Sequence, residues 1–191
     1  MPSQSKPKTA RKPHHHGDLR AALVQAAFDH VRKDGAATFS LRHASSGAGV
    51  TSGAAYRHFA SRIEVLNEVA VVGFELLSRQ MHTSSANTDG AEHLIATGCA
   101  YLEFARQEPH LFALMFGPEG GEGRNKAFSV DFGVPNASDQ LRQALTAIGR
   151  DTEADFLHGW GLAHGLAALA AAGTGGTLAE QEETIRKFAL S

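Results

Sequence analysis

Apolar residues in this chain recur at spacings of three and four, and no apolar-polar alternation of period two persists over a useful length. A chain patterned this way buries helix stripes against one another, so the fold class is all-α. Leu19, Leu23, Ala26, Ala27 and Val31 mark a first amphipathic helix beginning at Asp18, and Gly35 stands where a helix C-cap belongs. A short segment over 40–46 follows, then Gly47-Ala48-Gly49-Val50, then a second short segment from Thr51. Ser40 and Thr51 suit N-caps, because a hydroxyl accepts from the unpaired amides of a first turn. Ser61 and Glu64 have capping-box spacing at the head of a helix over 61–81, whose stripe is Ile63, Leu66, Val69, Ala70, Phe74 and Leu77. Further helices over 92–107 (Leu94, Ile95, Cys99, Leu102 and Phe104 inward), 110–116, 138–148, 152–172 and 178–190 bring the count to about nine, with no internal repeat. Between Gly117 and Pro135 the glycines and charges lack periodicity, which predicts a mobile surface loop.

At 191 residues the chain has room for a small unit and a larger one with its own core. The expected division is a disordered basic tail over 1–17, a small domain over 18–62 and a larger one over 63–191. No apolar run approaches the roughly 18 to 20 residues that span a bilayer. The basic start, Lys6, Lys8, Arg11 and Lys12, lacks the apolar centre of a secretory signal, so the expected compartment is the cytoplasm. The lone Cys99 excludes an internal disulfide and reads as a small buried apolar residue. The net charge of −2 conceals an asymmetry: residues 1–60 hold nine Lys or Arg against three Asp or Glu, and the other 131 hold nine against seventeen. One end therefore carries +6 and the other −8, which places a polyanion partner at the N-terminal end.

Eleven histidines raise the question of an enzyme, and their spacing answers it. No His-Glu-x-x-His occurs, and His158 and His164, six apart, point to different helix faces. The glycines from Gly117 to Gly123 lack the Lys-Ser/Thr of a phosphate loop. No catalytic residue, metal ligand or cofactor is expected.

Two short helices around a tight glycine-containing turn, braced by a longer helix, describe a tri-helical helix-turn-helix. Its second short helix would enter the major groove with Ser52, Gly53, Ala54 and Arg57 facing base edges: the Arg57 guanidinium suits guanine and the Ala54 methyl a thymine methyl. Phe59 is expected to pack beneath it. The run Ser40-Leu41-Arg42, Ala48-Gly49-Val50-Thr51, Tyr56-Arg57-His58-Phe59 and Ser61-Arg62 resembles the tetracycline-repressor-like (TetR) family over residues 17–68. Trp160-Gly161-Leu162-Ala163-His164-Gly165-Leu166 is similar to a tryptophan-histidine-glycine signature of one group of C-terminal domains in that family. The resemblance implies that Tyr56 and His58 donate to phosphates, that Arg42 reaches base or backbone from the side, and that Arg62, where the family usually has lysine, holds a phosphate. The DNA-binding set is then Ser40, Arg42, Thr51, Ser52, Gly53, Ala54, Tyr56, Arg57, His58 and Arg62. The segment departs from the family at Gly47, which costs about 1 kcal/mol relative to alanine inside a helix.

In the larger domain Tyr101, Phe104, Phe112, Met115, Phe116, Trp160 and His164 form the most aromatic part of the chain and could line a ligand pocket; an ordinary core accounts for them equally well. For His164 a hydrogen-bonded core histidine is the alternative to a ligand contact. The helix over 152–172 is apolar nearly all round, which implies burial on two sides, with Gly161 and Gly165 permitting close approach. Together with 178–190 it is expected to form a homodimer interface. The resulting expectation is a regulator that binds a palindromic double-stranded DNA operator as a dimer and is released by an unidentified small-molecule effector, with no membrane partner. The alternative is an architectural or activator DNA-binding protein without a ligand, which would have a solid core beyond residue 85.

Overall fold

The computed structural model describes residues 16–191. Their regular structure is all helical: α1 (His16–Asp34), α2 (Leu41–Gly47), α3 (Ser52–Ala55), α4 (Arg62–Ser85), α5 (Gly90–Gln107), α6 (Pro109–Phe116), α7 (Gly121–Ala127), α8 (Ala137–Thr146), α9 (Glu153–Ala171) and α10 (Leu178–Leu190), with one 3-10 turn, Pro118–Gly120. The tail expected over 1–17 lies outside the described residues except for its last two positions, which already belong to α1.

Local sequence signals set most helix starts. Ser40 Oγ accepts from the His43 amide and Thr51 Oγ1 from the Ala54 amide, both at 3.3 Å. Ser61 Oγ accepts from the Glu64 amide at 3.2 Å, but the carboxylate of Glu64 returns to the Ala60 amide, one residue earlier than a capping box requires. Thr152 with Asp155 and Thr177 with Glu180 form complete capping boxes on α9 and α10. The chain turns left-handed at Gly35 (φ 79°) after α1 and at Gly49 (φ 68°) between α2 and α3, a backbone that glycine adopts without a Cβ clash.

α1, α2 and α3 form a small head around Leu23, Ala27, Val31, Leu41, Ala55 and Phe59, all 2% exposed or less. α4 runs from the head into the body, where it packs most extensively on α5 and α7, and α5 packs on α9. Its buried stripe starts at Val65 and Leu66, not at Ile63, which is 39% exposed. Gly47, an unfavourable helix residue, sits where an added Cβ would come within 3.1 Å of the Ala26 Cβ, so it permits α2 to lie close on α1.

The segment 117–135, expected to be a mobile loop, contains a 3-10 turn and a helix beyond the nine expected, α7, docked on α4. Its glycines are contact points: a Cβ on Gly123 would collide with the Asn67 carbonyl, and one on Gly120 with that of Leu114. The Gly123 amide donates to Asn67 Oδ1 at 2.8 Å. Glycine was therefore misread as a sign of freedom where it serves close approach. Cys99 is only half-buried, and burial pushes its thiol pKa up to about 11, which leaves it unreactive at neutral pH.

Candidate functional site

The head presents an accessible helical surface at α3. α3 is a single turn, continued by Arg57 N–H to Ala54, His58 N–H to Ala55 and Phe59 N–H to Ala55 carbonyl bonds. Ala55 and Phe59, four apart, anchor it inward at 0% and 1% exposure. The opposite face therefore points outward, with Thr51, Gly53, Tyr56 and Arg57 exposed and Ser52, Ala54 and His58 half-buried. Tyr56 is 59% exposed, an unusual position for a large ring. Arg42 lies exposed on α2. From Gly35 to Ile63 the sequence has no carboxylate, and neither Arg42 nor Arg57 forms an ion pair among the described residues. A protruding turn with small residues and uncompensated cations can approach a phosphate backbone closely. Ser40 and Thr51 sit at the two N-caps of this surface, their side-chain oxygens occupied by backbone amides.

Arg62 is the exception among the sequence-selected residues. Its guanidinium donates to the carbonyls of Phe39 (2.9 Å) and Ala36 and pairs with Glu119. Instead of facing a duplex, it binds the end of the α1–α2 connection to the 3-10 turn of the body. Arg20 with Glu68 (2.9 Å) and Arg32 with Glu108 add ionic links from α1 to the body, where Lys126 of α7 shares Glu68 at 2.8 Å. The Arg20 guanidinium also covers the Phe59 ring at 4.2 Å.

The second feature is a cavity of about 490 Å³ in the body, between α4, α5, α7, α8 and α9. Of the residues expected to line it, Tyr101, Phe116, Trp160 and His164 do so. Phe104 (2% exposed), Phe112 (4%) and Met115 (0%) do not; they are core side chains. Met115 packs into the space left by Gly73 on α4, and Phe112 stands edge-on to Tyr101 at 5.8 Å, away from the opening. Phe74, Thr97, Arg124, Phe128 and Phe156 are further wall residues outside the set expected from the sequence. Phe74 and Thr97 were within reach, since each lies on the inward face of a periodic helix. Arg124 and Phe128 were hidden in the segment taken for a loop. Phe128 (51%) and Trp160 (41%) are both partly in solvent, so the cavity opens beside them.

On α9, Trp160 and His164 are one turn apart and stacked at 5.4 Å, with Phe116 on the imidazole at 4.6 Å. Tyr101 Oη and His164 Nδ1 share a hydrogen bond at 2.9 Å. Burial lowers the His164 pKa and raises that of Tyr101, so both stay neutral near pH 7. Thr97 Oγ1, in the same wall, is buried without a partner among the described residues. No group of three or more metal-ligating side chains occurs among the described residues, and none of their helices is long and apolar enough to cross a membrane.

Comparison with known proteins gives this arrangement a family. The model for the tetracyclin repressor-like C-terminal domain matches residues 94–189, about half of the chain. A protein of unknown function from Rhodococcus sp. RHA1 superposes with a TM-score of 0.73 at 25% identity, over 94% of this chain and 98% of that one. A transcriptional regulator from the same organism reaches 0.65 at 22% identity, covering 89% and 93%. A fatty acid degradation regulator from Bacillus halodurans reaches 0.62 at 15% identity, covering 95% and 97%. No protein of curated function matches the chain in sequence. The domain match, an all-helical body and an N-terminal helix-turn-helix agree: the chain belongs to the tetracycline-repressor-like (TetR) family and is a DNA-binding transcriptional regulator, not an enzyme.

Proposed function

We propose that this regulator is a cytoplasmic repressor that binds a palindromic operator as a homodimer and is released when a small molecule enters the cavity of its body. The observation that carries the reading is the joint presence of an exposed reading turn and a cavity of about 490 Å³, with α4 in contact with both parts. An architectural DNA-binding protein has no use for such a cavity, whose size is within the roughly 300 to 1,000 Å³ of small-molecule sites. Within the head, residues 18–62, Arg42, Ser52, Gly53, Ala54 and Arg57 are the base-facing set, Tyr56 and His58 donate to phosphates, and Ser40 and Thr51 hold the two turns. The dimer forms through α9 and α10 of the body, residues 63–191, where Leu157 (53%), Leu169 (44%) and Leu190 (66%) leave apolar surface in solvent. Gly161 and Gly165 have nothing within 4 Å of an added Cβ, which leaves α9 open to close approach by a second copy. An effector acts only if it binds the released state more tightly than the DNA-bound one.

The test is operator binding by Tyr56→Phe and His58→Ala. Each removes one donor to phosphate per half-site and two per dimeric complex, so affinity should fall about five- to 150-fold, the equivalent of two hydrogen bonds, with the dimer intact by sedimentation. Unchanged affinity in both would overturn the assigned contacts.

A further inference from the structure

The walls of the cavity carry one cation and no acid: Arg124 lines it, and neither Asp nor Glu does. Among the described residues Arg124 pairs with no carboxylate, and its hydrogen bond goes to the Met115 carbonyl at 3.3 Å. The carboxylates nearest to it in sequence are engaged elsewhere, Glu119 with Arg62 and Glu122 with the Asn67 amide. Such a guanidinium at an otherwise aromatic and aliphatic cavity has donors to offer a planar anion, and a carboxylate matches its fork. Thr97 supplies an independent observation. It is 1% exposed, lines the same cavity, and its hydroxyl is buried without a partner among the described residues, a polar group that a bound molecule can satisfy. The remaining walls are mainly apolar or aromatic, with Phe74, Phe116, Phe128, Leu141, Phe156 and Trp160 among them; of their other polar groups, Tyr101 and His164 are bonded to each other, and Ser138 adds a neutral hydroxyl.

Taking the cavity as the effector site, on which this inference rests, we infer that the effector is an amphipathic monocarboxylate, its charged end on Arg124 and its apolar body against the aromatic walls. The cavity of about 490 Å³ holds roughly sixteen atoms at ~30 Å³ each, the volume of a water molecule. That is the size of a medium-chain fatty acid or an aryl-substituted acid. Because Arg124 is on α7, which also carries Lys126 paired with Glu68 of α4, the charged end of the ligand meets a helix that shares Glu68 with Arg20 of the head.

Trp160 is the single tryptophan and lines the cavity, so its emission reports occupancy. Dodecanoate, dodecanol and dodecyltrimethylammonium, each below its micellar concentration, are titrated into the full-length protein while Trp160 emission and melting temperature are followed. Dodecanoate should bind about ten- to a hundredfold more tightly than dodecanol, the range for a hydrogen bond to a charged group. Arg124→Gln should bring that ratio close to one while leaving dodecanol affinity unchanged, and Arg124→Lys should keep part of it. Equal binding of the acid and the alcohol by the wild-type protein, or an acid preference that survives Arg124→Gln, would overturn the carboxylate assignment and leave the cavity as a site for a neutral effector. If none of the three probes alters emission or melting, both the assignment and the effector-site reading fail.

Discussion

Gly123→Ala isolates the feature of the fold that is least expected from sequence, the docking of α7 on α4. The added Cβ would overlap the Asn67 carbonyl and lie 2.9 Å from the Ala70 Cβ. Neither neighbour is the far end of a flexible side chain, so relief requires α7 to move away from α4. Overpacking of this kind costs about 1 to 3 kcal/mol. The displacement also removes the bond from the Gly123 amide to Asn67 Oδ1, now 2.8 Å, worth about 0.5 to 1.5 kcal/mol net. A total near 2 to 4 kcal/mol lowers the melting temperature by about 5 to 15 °C in a chain of this size. The assay is thermal unfolding by far-ultraviolet circular dichroism at matched protein concentration, since a dimer melts in a concentration-dependent way. A Gly123→Ala protein that melts within about a degree of the wild type would mean that 121–127 is not packed as described, and the origin given for Arg124 in the cavity wall would be refuted with it.

Arg62→Ala removes the bonds to the Ala36 and Phe39 carbonyls and the pair with Glu119, so melting temperature and operator affinity should fall together; loss of affinity alone, with melting unchanged, would make Arg62 a phosphate contact instead. Arg57→Ala should relax base preference at one position of each half-site in a selection from random DNA, whereas a uniform loss on all sequences would mark it as a phosphate contact. His164 has its pKa lowered by burial from the ordinary 6.5, so the unfolded chain binds the proton more readily: its contribution to stability is complete above about pH 6.5 and is lost as pH falls below it. Wild-type melting should therefore drop more steeply below that pH than His164→Gln melting; parallel curves would contradict the assignment.

Much of the head was legible because short-range chemistry decides it. Ser40, Thr51 and Ser61 cap the helices they precede, Gly35 and Gly49 take the left-handed turns, and Phe59 lies beneath the reading turn. The intramolecular partners of Arg62 are not legible in the sequence, because the carbonyls it binds, Ala36 and Phe39, lie more than twenty residues away and offer no side-chain signal. The cavity was half legible. The aromatic clustering of Tyr101, Phe112, Phe116 and Trp160 is visible in the sequence, but not which neighbour each meets, so the division between core and cavity wall depends on tertiary packing. Phe104, Phe112 and Met115 fell on the core side of that division. Arg124 was invisible for a different reason: glycines at 120, 121 and 123 suppress the helical pattern, while two of them serve contacts with residues that periodicity alone cannot identify.

The most direct measurement is sedimentation velocity of the full-length protein on a duplex recovered by selection from random DNA. Two chains should bind per duplex, and the recovered site should hold inverted half-sites about 10 base pairs apart, one helical turn of roughly 34 to 36 Å. A single chain per duplex, or a selection that enriches no sequence at all, would contradict a twofold regulator that reads DNA with the turn from Thr51 to Phe59.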